Sequence, residues 1–260
     1  MEASLLAIDI GNTQTVAGLF SGDRLQEHWR IATEPHATAD QLTATFASLL
    51  ALSGSRLDEV GRIIVSSVVP SLSGQYELLA GRYRGMEVVV VGPGTRTGLP
   101  ILINNPHEVG ADRIVNAVAA LDQLGGPCVV VDFGTATTFC AISPEGEYLG
   151  GAIAPGVDVS LEALAARAAR LSMVELCEPE TAIGKTTVAS LCSGVVLGFA
   201  GLVDRMVGSI REELGSGTIA TIATGGNAGL IVPHTNSLDR VDPLLTLKGL
   251  KLIDARNQKE

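Results

Sequence analysis

The chain has 260 residues, of which 46% are hydrophobic and 30 are glycines, as is typical of one large or two small compact α/β domains. Its formal net charge of −10 leaves no basic face for nucleic acid, so we predict that it has no nucleic-acid partner. We find no apolar stretch of the roughly 18 residues that a membrane span needs and no leader-like N-terminus, so we expect a cytoplasmic protein.

The first half of the chain predicts three neighbouring strands followed by alternating helices and strands. Apolar runs bounded by turn residues predict the strands, and the run from Arg62 to Val69, ended by Pro70, is typical of a buried parallel strand. The first helix is predicted to begin near Thr38. The predicted strands are 5–9, 14–20, 26–31, 62–69 and 87–91, and the predicted helices are about 39–52, about 71–82 and one that starts near Glu108.

The second half repeats this order after Gly125-Gly126-Pro127, which we interpret as a linker. We therefore predict two domains, residues 1–118 and 119–260, and a polar, frayed end from about residue 254. The predicted strands of this half are 128–132, 137–142, 147–152 and 218–223, the predicted helices are about 157–171 and 187–213, and a Gly-rich turn covers 224–228.

The same hairpin occurs once in each half. In residues 5–20 and again in 128–142, an apolar strand ends in an aspartate, Asp9 or Asp132, passes through a turn rich in Gly and hydroxyl residues, and continues as a second strand. Glycine lets the backbone approach a ligand closely, and successive turn N–H groups bind phosphate. An aspartate at the strand end suits a hydrated cation that accompanies the phosphate. We therefore predict two phosphate-binding hairpins that face one shared cleft. An ordinary strand-ending turn, or an Asx-turn at Asp132, remains the alternative.

The block Gly110-Ala111-Asp112-Arg113 precedes apolar residues at helical spacing, so Asp112 and Arg113 are predicted to lie in the first turn of a helix near the interdomain cleft. Local sequence leaves two interpretations of Asp112 open. It is either an acidic residue favoured by the helix dipole or a carboxylate that accepts a proton in catalysis.

Two further groups of residues are assigned no catalytic chemistry. The cysteines show no metal-ligand spacing, and we expect buried, reduced thiols. Gly184-Lys185-Thr186 matches the end of a P-loop, but Pro179 stands where that motif needs its first glycine. The cysteines are Cys128, Cys140, Cys177 and Cys192.

Seven blocks spread over nearly the whole chain resemble the type III pantothenate kinases, which belong to the superfamily of actin, hexokinase and acetate kinase. The resemblance implies two actin-like (ribonuclease H-like) half-domains, each a mixed five-stranded sheet with flanking helices, with a cleft between them. It also implies ATP-dependent phosphorylation of pantothenate to 4′-phosphopantothenate, the first step of coenzyme A biosynthesis, by a homodimer that needs Mg²⁺ and a monovalent cation such as K⁺ or NH₄⁺. The blocks are Asp9 to Thr13, Ser66 to Pro70, Gly92 to Gly94, Asn105 to Arg113, Asp132 to Thr138, Gly150 to Gly156 and Thr224 to Gly226.

The resemblance further implies a role for individual residues. Asp112 is the general base that takes the proton of the attacking hydroxyl. Asp132 binds the monovalent cation, and Asp9 holds Mg²⁺ through water. The implied nucleotide-binding residues are Asp9, Ile10, Gly11, Asn12, Thr13, Gln14, Thr15, Val16 and Thr135, with backbone donors at 11–13, and the implied substrate-binding residues are Gly110, Ala111, Asp112, Arg113, Thr187 and Ile103.

Two of the implied substrate residues carry alternatives. Many members of the family have a Tyr where this chain has Ile103, and an aliphatic residue keeps an apolar wall but loses a hydroxyl donor. Thr187 is also explained as an ordinary helix N-cap. The apolar stripe of Leu161, Leu164, Ala168 and Leu171 fits either a dimer interface or a core.

Three functions therefore remain open from the sequence. The first is pantothenate kinase, the second is a related small-molecule kinase or phosphatase of the same superfamily, and the third is a non-catalytic regulatory accessory factor. Screening alcohols with ATP separates the first two. The joint presence of Asp9, Asp112, Asp132 and Thr187 favours catalysis, because a scaffold does not need all four.

Overall fold

A computed structural model describes residues 4–83, 85–168, 174–215 and 217–258. The described residues fall into two compact units, one from 1–98, 105–119 and 246–260, the other from 99–104 and 120–245. This division differs from a contiguous split at 118/119, because the first unit includes the C-terminal segment and the second includes 99–104. The predicted linker at 125–127 lies inside the second unit.

The described residues form ten strands and seven α-helices. The strands are β1 (Ser4–Ile10), β2 (Gln14–Ser21), β3 (Arg24–Ala32), β4 (Val60–Ser67), β5 (Glu87–Val90), β6 (Cys128–Phe133), β7 (Ala136–Ile142), β8 (Tyr148–Pro155), β9 (Ala220–Thr224) and β10 (Arg240–Val241). The helices are α1 (Ala39–Leu52), α2 (Pro70–Ala80), α3 (Ala111–Leu124), α4 (Val157–Arg167), α5 (Thr187–Leu214), α6 (Ala228–Ile231) and α7 (Leu245–Asn257). The part of the predicted helix 157–171 beyond residue 168, including Leu171, lies outside the described residues.

Each unit contains one mixed five-stranded sheet, and the two sheets have equivalent strand orders. The first sheet has the order β3-β2-β1-β4-β5 and the second, read from its other edge, β8-β7-β6-β9-β10. In each, the first three strands along the chain pair antiparallel, and the last two add in parallel. The repeat predicted from the sequence is therefore a repeat of the fold.

Local signals fix the ends of the helices in the first unit. Thr38 caps α1 in a capping box, in which its hydroxyl accepts the N–H of Gln41 and the Gln41 side chain accepts the N–H of Thr38. Pro70 is the first residue of α2, where its missing N–H costs nothing. Both helices bury one face in the core that also contains the fully buried Ile8 and Ile10 of β1, and α2 contacts β4 and β5.

Among the described residues, α5 alone is long and apolar enough to cross a membrane by length and composition. This corrects the expectation that the chain has no such stretch. The core helix of a water-soluble domain passes the same test, and Val196, Val203 and Val207 of α5 are fully buried in the core that also contains the β6 residue Val131. Packing inside the second unit therefore buries one face of α5.

The frayed C-terminus predicted from about residue 254 is wrong, because α7 continues to Asn257. Asp254 is 2% exposed, and its carboxylate accepts a 2.9 Å hydrogen bond from the Arg62 guanidinium on β4. A Cβ on Gly249 of α7 would lie 2.1 Å from the backbone oxygen of Val115, so α7 packs closely against α3. Sequence reasoning missed α7 and the short strand β10, because α7 has little hydrophobic periodicity.

Candidate active site

The first predicted phosphate hairpin joins β1 and β2. Asp9 is half-buried near the end of β1, and the exposed turn that follows contains Asn12 and Thr13. The Gly11 N–H donates to the Gln14 carbonyl at 3.0 Å, which closes the turn. The hairpin is thus an ordered turn with exposed polar residues at its tip.

Thr33, which follows β3, stabilises this turn through hydrogen bonds. Its hydroxyl donates to the Gly11 carbonyl at 2.8 Å and lies 2.9 Å from the Thr15 hydroxyl, and its N–H donates to the Thr13 carbonyl at 3.0 Å. Ile10 and Thr15 are buried, so they hold the hairpin together from inside. The Gly11 amide, one of the three backbone donors implied for phosphate, is therefore used within the turn.

The second predicted hairpin joins β6 and β7 in the other unit. Asp132 is half-buried at the end of β6, and Gly134 and Thr135 are exposed at the tip. The Gly134 N–H donates to the Ala136 carbonyl, two residues on, at 3.1 Å, whereas Gly11 donates to the carbonyl three residues on. The two hairpins share their sequence pattern, and in each the turn glycine N–H closes the turn, but the second closure is one residue tighter.

Two glycines pack directly against the second hairpin. A Cβ on Gly156, the N-cap of α4, would lie 2.2 Å from the Thr135 carbonyl oxygen. Gly225, which follows β9 with φ +94°, would place a Cβ 2.6 Å from Asp132 Oδ1. The predicted blocks 150–156 and 224–226 therefore meet at this hairpin. Gly156 and Gly225 are required because a side chain at either position would clash with the hairpin.

Each strand-ending aspartate has a buried hydroxyl residue as its neighbour in the parallel strand. Asp9 is in register with Ser66 of β4, and Asp132 is in register with Thr224 of β9. Ser66 is fully buried, and its hydroxyl has no hydrogen-bond partner among the described residues. Ser66 and Thr224 lie in two of the family-like sequence blocks, but sequence reasoning gave neither hydroxyl a role. Thr224 is the last residue of β9, and Ser66 is the last but one of β4.

Asp112 lies in the first turn of α3, as predicted. Its Oδ1 accepts the N–H of Arg113 at 2.8 Å. The carboxylate rests over Gly110, where a Cβ would lie only 2.4 Å from the same oxygen. The Arg113 N–H also reaches the Gly110 carbonyl at 3.2 Å, so the three residues form one compact turn.

Burial raises the pKa of Asp112 above its usual range, against the opposing effect of the Arg113 N–H and guanidinium. A carboxylate with a raised pKa binds a proton more tightly than an exposed one. The side chain is therefore better suited to accept a proton than an aspartate placed at a helix N-terminus only for its charge.

The remaining predicted substrate residues, Ile103 and Thr187, belong to the second unit. Ile103 is half-buried, and its Cγ2 would lie 3.5 Å from a Cβ on Gly150 of β8. Thr187 is the exposed first residue of α5. The N-cap is Thr186, whose hydroxyl accepts the Ala189 N–H at 3.1 Å, so capping does not explain Thr187.

Comparison with known proteins supplies the family. The family model described as type III pantothenate kinase matches residues 5–209. The type III pantothenate kinase of Moorella thermoacetica is 49% identical over 253 residues, which covers 97% of this chain and 99% of the relative. This chain belongs to the type III pantothenate kinase family. Its family is one of kinases, so the chain is an enzyme.

Solved structures confirm the fold expected from the family. A Campylobacter jejuni protein described as a Baf family transcriptional activator has a TM-score of 0.61 at 20% identity and covers 97% of this chain and 98% of its own. An archaeal actin homologue, Ta0583, has a TM-score of 0.52 at 15% identity and covers 98% of this chain and 100% of its own. The prediction of two mixed five-stranded sheets with flanking helices in an actin-like fold is confirmed.

Proposed function

We propose that this chain transfers the terminal phosphate of ATP to the primary hydroxyl of pantothenate, the first step of coenzyme A biosynthesis. The observation that carries the proposal is the half-buried Asp112 carboxylate, held over Gly110 at the start of α3, in a chain that matches this kinase family over residues 5–209. This observation supports Asp112 as a positioned proton acceptor, and the family name identifies pantothenate as the alcohol that is phosphorylated.

Asp112 acts as the general base. Phosphoryl transfer depends mainly on positioning and on neutralising phosphate charge, so the base needs to receive the hydroxyl proton late in the reaction. The fixed position over Gly110 and the raised pKa of Asp112 both favour that role. Arg113, next in the same turn, binds the carboxylate of pantothenate through its guanidinium.

The two hairpins bind the phosphates of ATP. In the first, the exposed Asn12 and Thr13 offer backbone and side-chain donors. In the second, the exposed tip residue Thr135 contacts ATP, and the packed Gly156 and Gly225 keep that tip in one conformation.

The residues present fit the two cations that the family implies. Among the described residues, no three His, Cys, Asp or Glu side chains gather into a metal cage. A single carboxylate with a nearby hydroxyl instead suits a hydrated cation. Asp9 would hold Mg²⁺ through water, beside Ser66, whose hydroxyl has no hydrogen-bond partner among the described residues. Asp132 would hold K⁺ or NH₄⁺, beside Thr224. When bound, the cations neutralise phosphate charge.

Ile103 and Thr187 contribute to the pantothenate site. Ile103, beside Gly150, supplies an apolar wall, and the exposed Thr187 hydroxyl supplies a donor that no capping role consumes. We expect a weaker affinity for pantothenate than in relatives with a Tyr at the position of Ile103, because a hydroxyl donor is missing.

We further propose a cytoplasmic homodimer. The outward face of the edge strand β8 exposes Leu149 and Ile153, and Ile153 is 66% exposed. Leu102, in the segment that pairs alongside the start of β8, is also exposed. Sedimentation of the purified protein at micromolar concentration tests this, and a monomer would contradict it.

The function is tested by mixing purified protein with ATP, Mg²⁺ and K⁺ and measuring ADP and phosphorylated product with and without pantothenate. We expect ADP formation that requires pantothenate and a product that carries one added phosphate. Phosphorylation of a different alcohol alone would favour the related-kinase alternative. No ATP consumption with any alcohol would favour a non-catalytic role.

A further inference from the structure

Two cysteines that the kinase reaction does not use lie side by side in the second unit. The Sγ atoms of Cys177 and Cys192 are 2.9 Å apart, and the Cys177 N–H donates to the Cys192 Sγ at 3.3 Å. Cys177 is exposed, which corrects the expectation of four buried thiols, whereas Cys192 is buried in α5. A disulfide bond of about 2.05 Å would need the sulfur atoms to approach by only about 0.9 Å.

We propose that Cys177 and Cys192 are a site of reversible oxidation that forms an intrachain disulfide. The other two cysteines provide a contrast within the same chain. Cys128 and Cys140 are both buried in the second sheet, and burial raises the pKa of Cys128 to about 12. They are therefore inert to dissolved oxidants, while the first pair has one accessible sulfur and one adjacent partner.

The reaction balances with a peroxide as the oxidant. The exposed Cys177 thiolate attacks the O–O bond and becomes a sulfenic acid while hydroxide leaves. The Cys192 thiol then attacks that sulfur, the S–S bond forms, and water leaves. Two thiols lose two electrons and two protons, and the peroxide is reduced to two waters. An added dithiol reverses the reaction by exchange.

The local chemistry sets the rate of this oxidation. The hydrogen bond to Cys192 raises the pKa of the exposed Cys177 thiol, and the neighbouring carboxylates of Glu175 and Glu180 add to that effect. The thiolate fraction at neutral pH is therefore small, and we expect oxidation over minutes to hours at millimolar peroxide. A slow, stable disulfide fits this environment better than a fast sensor.

The disulfide would fasten the segment 174–186 to α5. Besides the sulfur pair, this segment is held by the Ser193 hydroxyl, which donates to the Ala182 carbonyl at 2.7 Å, and by the Ser190 hydroxyl, which donates to the Gly184 carbonyl at 3.2 Å. A covalent link across the 15 positions from Cys177 to Cys192 restricts the unfolded chain, so oxidation should raise the midpoint of thermal unfolding by about 5 °C.

Peptide mapping tests the proposal directly. The purified protein is treated with hydrogen peroxide, free thiols are alkylated under denaturing conditions, and the chain is digested with trypsin, which cuts after Lys185 and separates the two cysteines. We expect residues 171–185 and 186–205 as one linked species that separates after treatment with a dithiol. Cys128 should remain alkylated in the same sample.

Two variants make the result decisive. Cys177→Ser changes an exposed side chain, so it should fold normally, form no linked species and lose the peroxide-dependent rise in unfolding midpoint. Cys192→Ser should leave Cys177 as a sulfenic acid that a carbon nucleophile traps. Alkylation of both cysteines in peroxide-treated wild type, or oxidation of Cys177 to higher acids while Cys192 stays free, would overturn the proposal. Kinase activity is not a readout here, so this outcome is independent of the proposed function.

Discussion

Gly110 is predicted to fix the position of the catalytic base, and Gly110→Ala tests this. The added Cβ would lie 2.4 Å from Asp112 Oδ1, whereas ordinary van der Waals contact begins at 3.4 Å. The carboxylate must therefore move by about 1 Å, or the first turn of α3 must shift by a similar distance. The backbone itself does not forbid alanine, because Gly110 is not among the glycines with positive φ.

A displacement of about 1 Å at a reacting group costs on the order of 10²-fold in rate. We expect kcat for pantothenate phosphorylation to fall by about that factor. KM for ATP should change little, because the proposed phosphate hairpins are distant in sequence from this turn. The assay is coupled ADP release at saturating ATP and pantothenate.

The matched control is Gly194→Ala in α5, where an added Cβ meets no atom within 4 Å. This exposed helical position should keep wild-type kcat and gain up to about 1 kcal/mol in the free energy of unfolding, because alanine favours the helix. A folded Gly110→Ala enzyme with kcat within a factor of two of wild type would refute the reasoning about the Asp112 position.

Four further predictions concern charge. Asp112→Asn should lower kcat by about 10²- to 10⁴-fold. It should not lower the unfolding midpoint at pH 7, because a raised pKa in the folded state means that the ionised carboxylate destabilises that state. A lower midpoint with intact kcat would indicate that the Asp112 charge is purely structural. For the same reason, wild-type kcat/KM should fall as pH decreases through a pKa above the usual 3.8 of Asp112, and the Asn variant should lack that limb. Replacing K⁺ by Na⁺ or Tris should reduce turnover. Asp132→Asn should weaken this cation dependence more than it lowers the stability of the fold. Equal rates in all three buffers would contradict the assignment of Asp132 to the cation site. Asp254→Ala should cost about 2 kcal/mol in denaturant unfolding, because the half-buried Arg62 guanidinium would lose its ion pair with Asp254 and keep the one with Glu87. A loss below about 1 kcal/mol would show that α7 does not depend on this pair.

The sequence was sufficient to predict an element or a site residue wherever the interactions that position it are local. Apolar runs bounded by turn residues predicted β1 and β2 closely, Thr38 predicted the start of α1, and Pro70 predicted that of α2. The repeated hairpins predicted the repeated sheet, because a strand, a tight turn and a returning strand need only neighbouring residues. The position of Asp112 in the first turn of α3 was predicted for the same reason.

Only the tertiary structure decided which distant segments meet. α7 contacts β4 through the Arg62–Asp254 ion pair, whose residues are 192 positions apart, and no local pattern in the sequence predicts that pair. The contact of Gly225 with Asp132 and the pairing of Cys177 with Cys192 likewise arise from packing. The raised pKa of Asp112 is also a product of the tertiary structure, because desolvation depends on all the atoms around the carboxylate and not on its sequence neighbours alone.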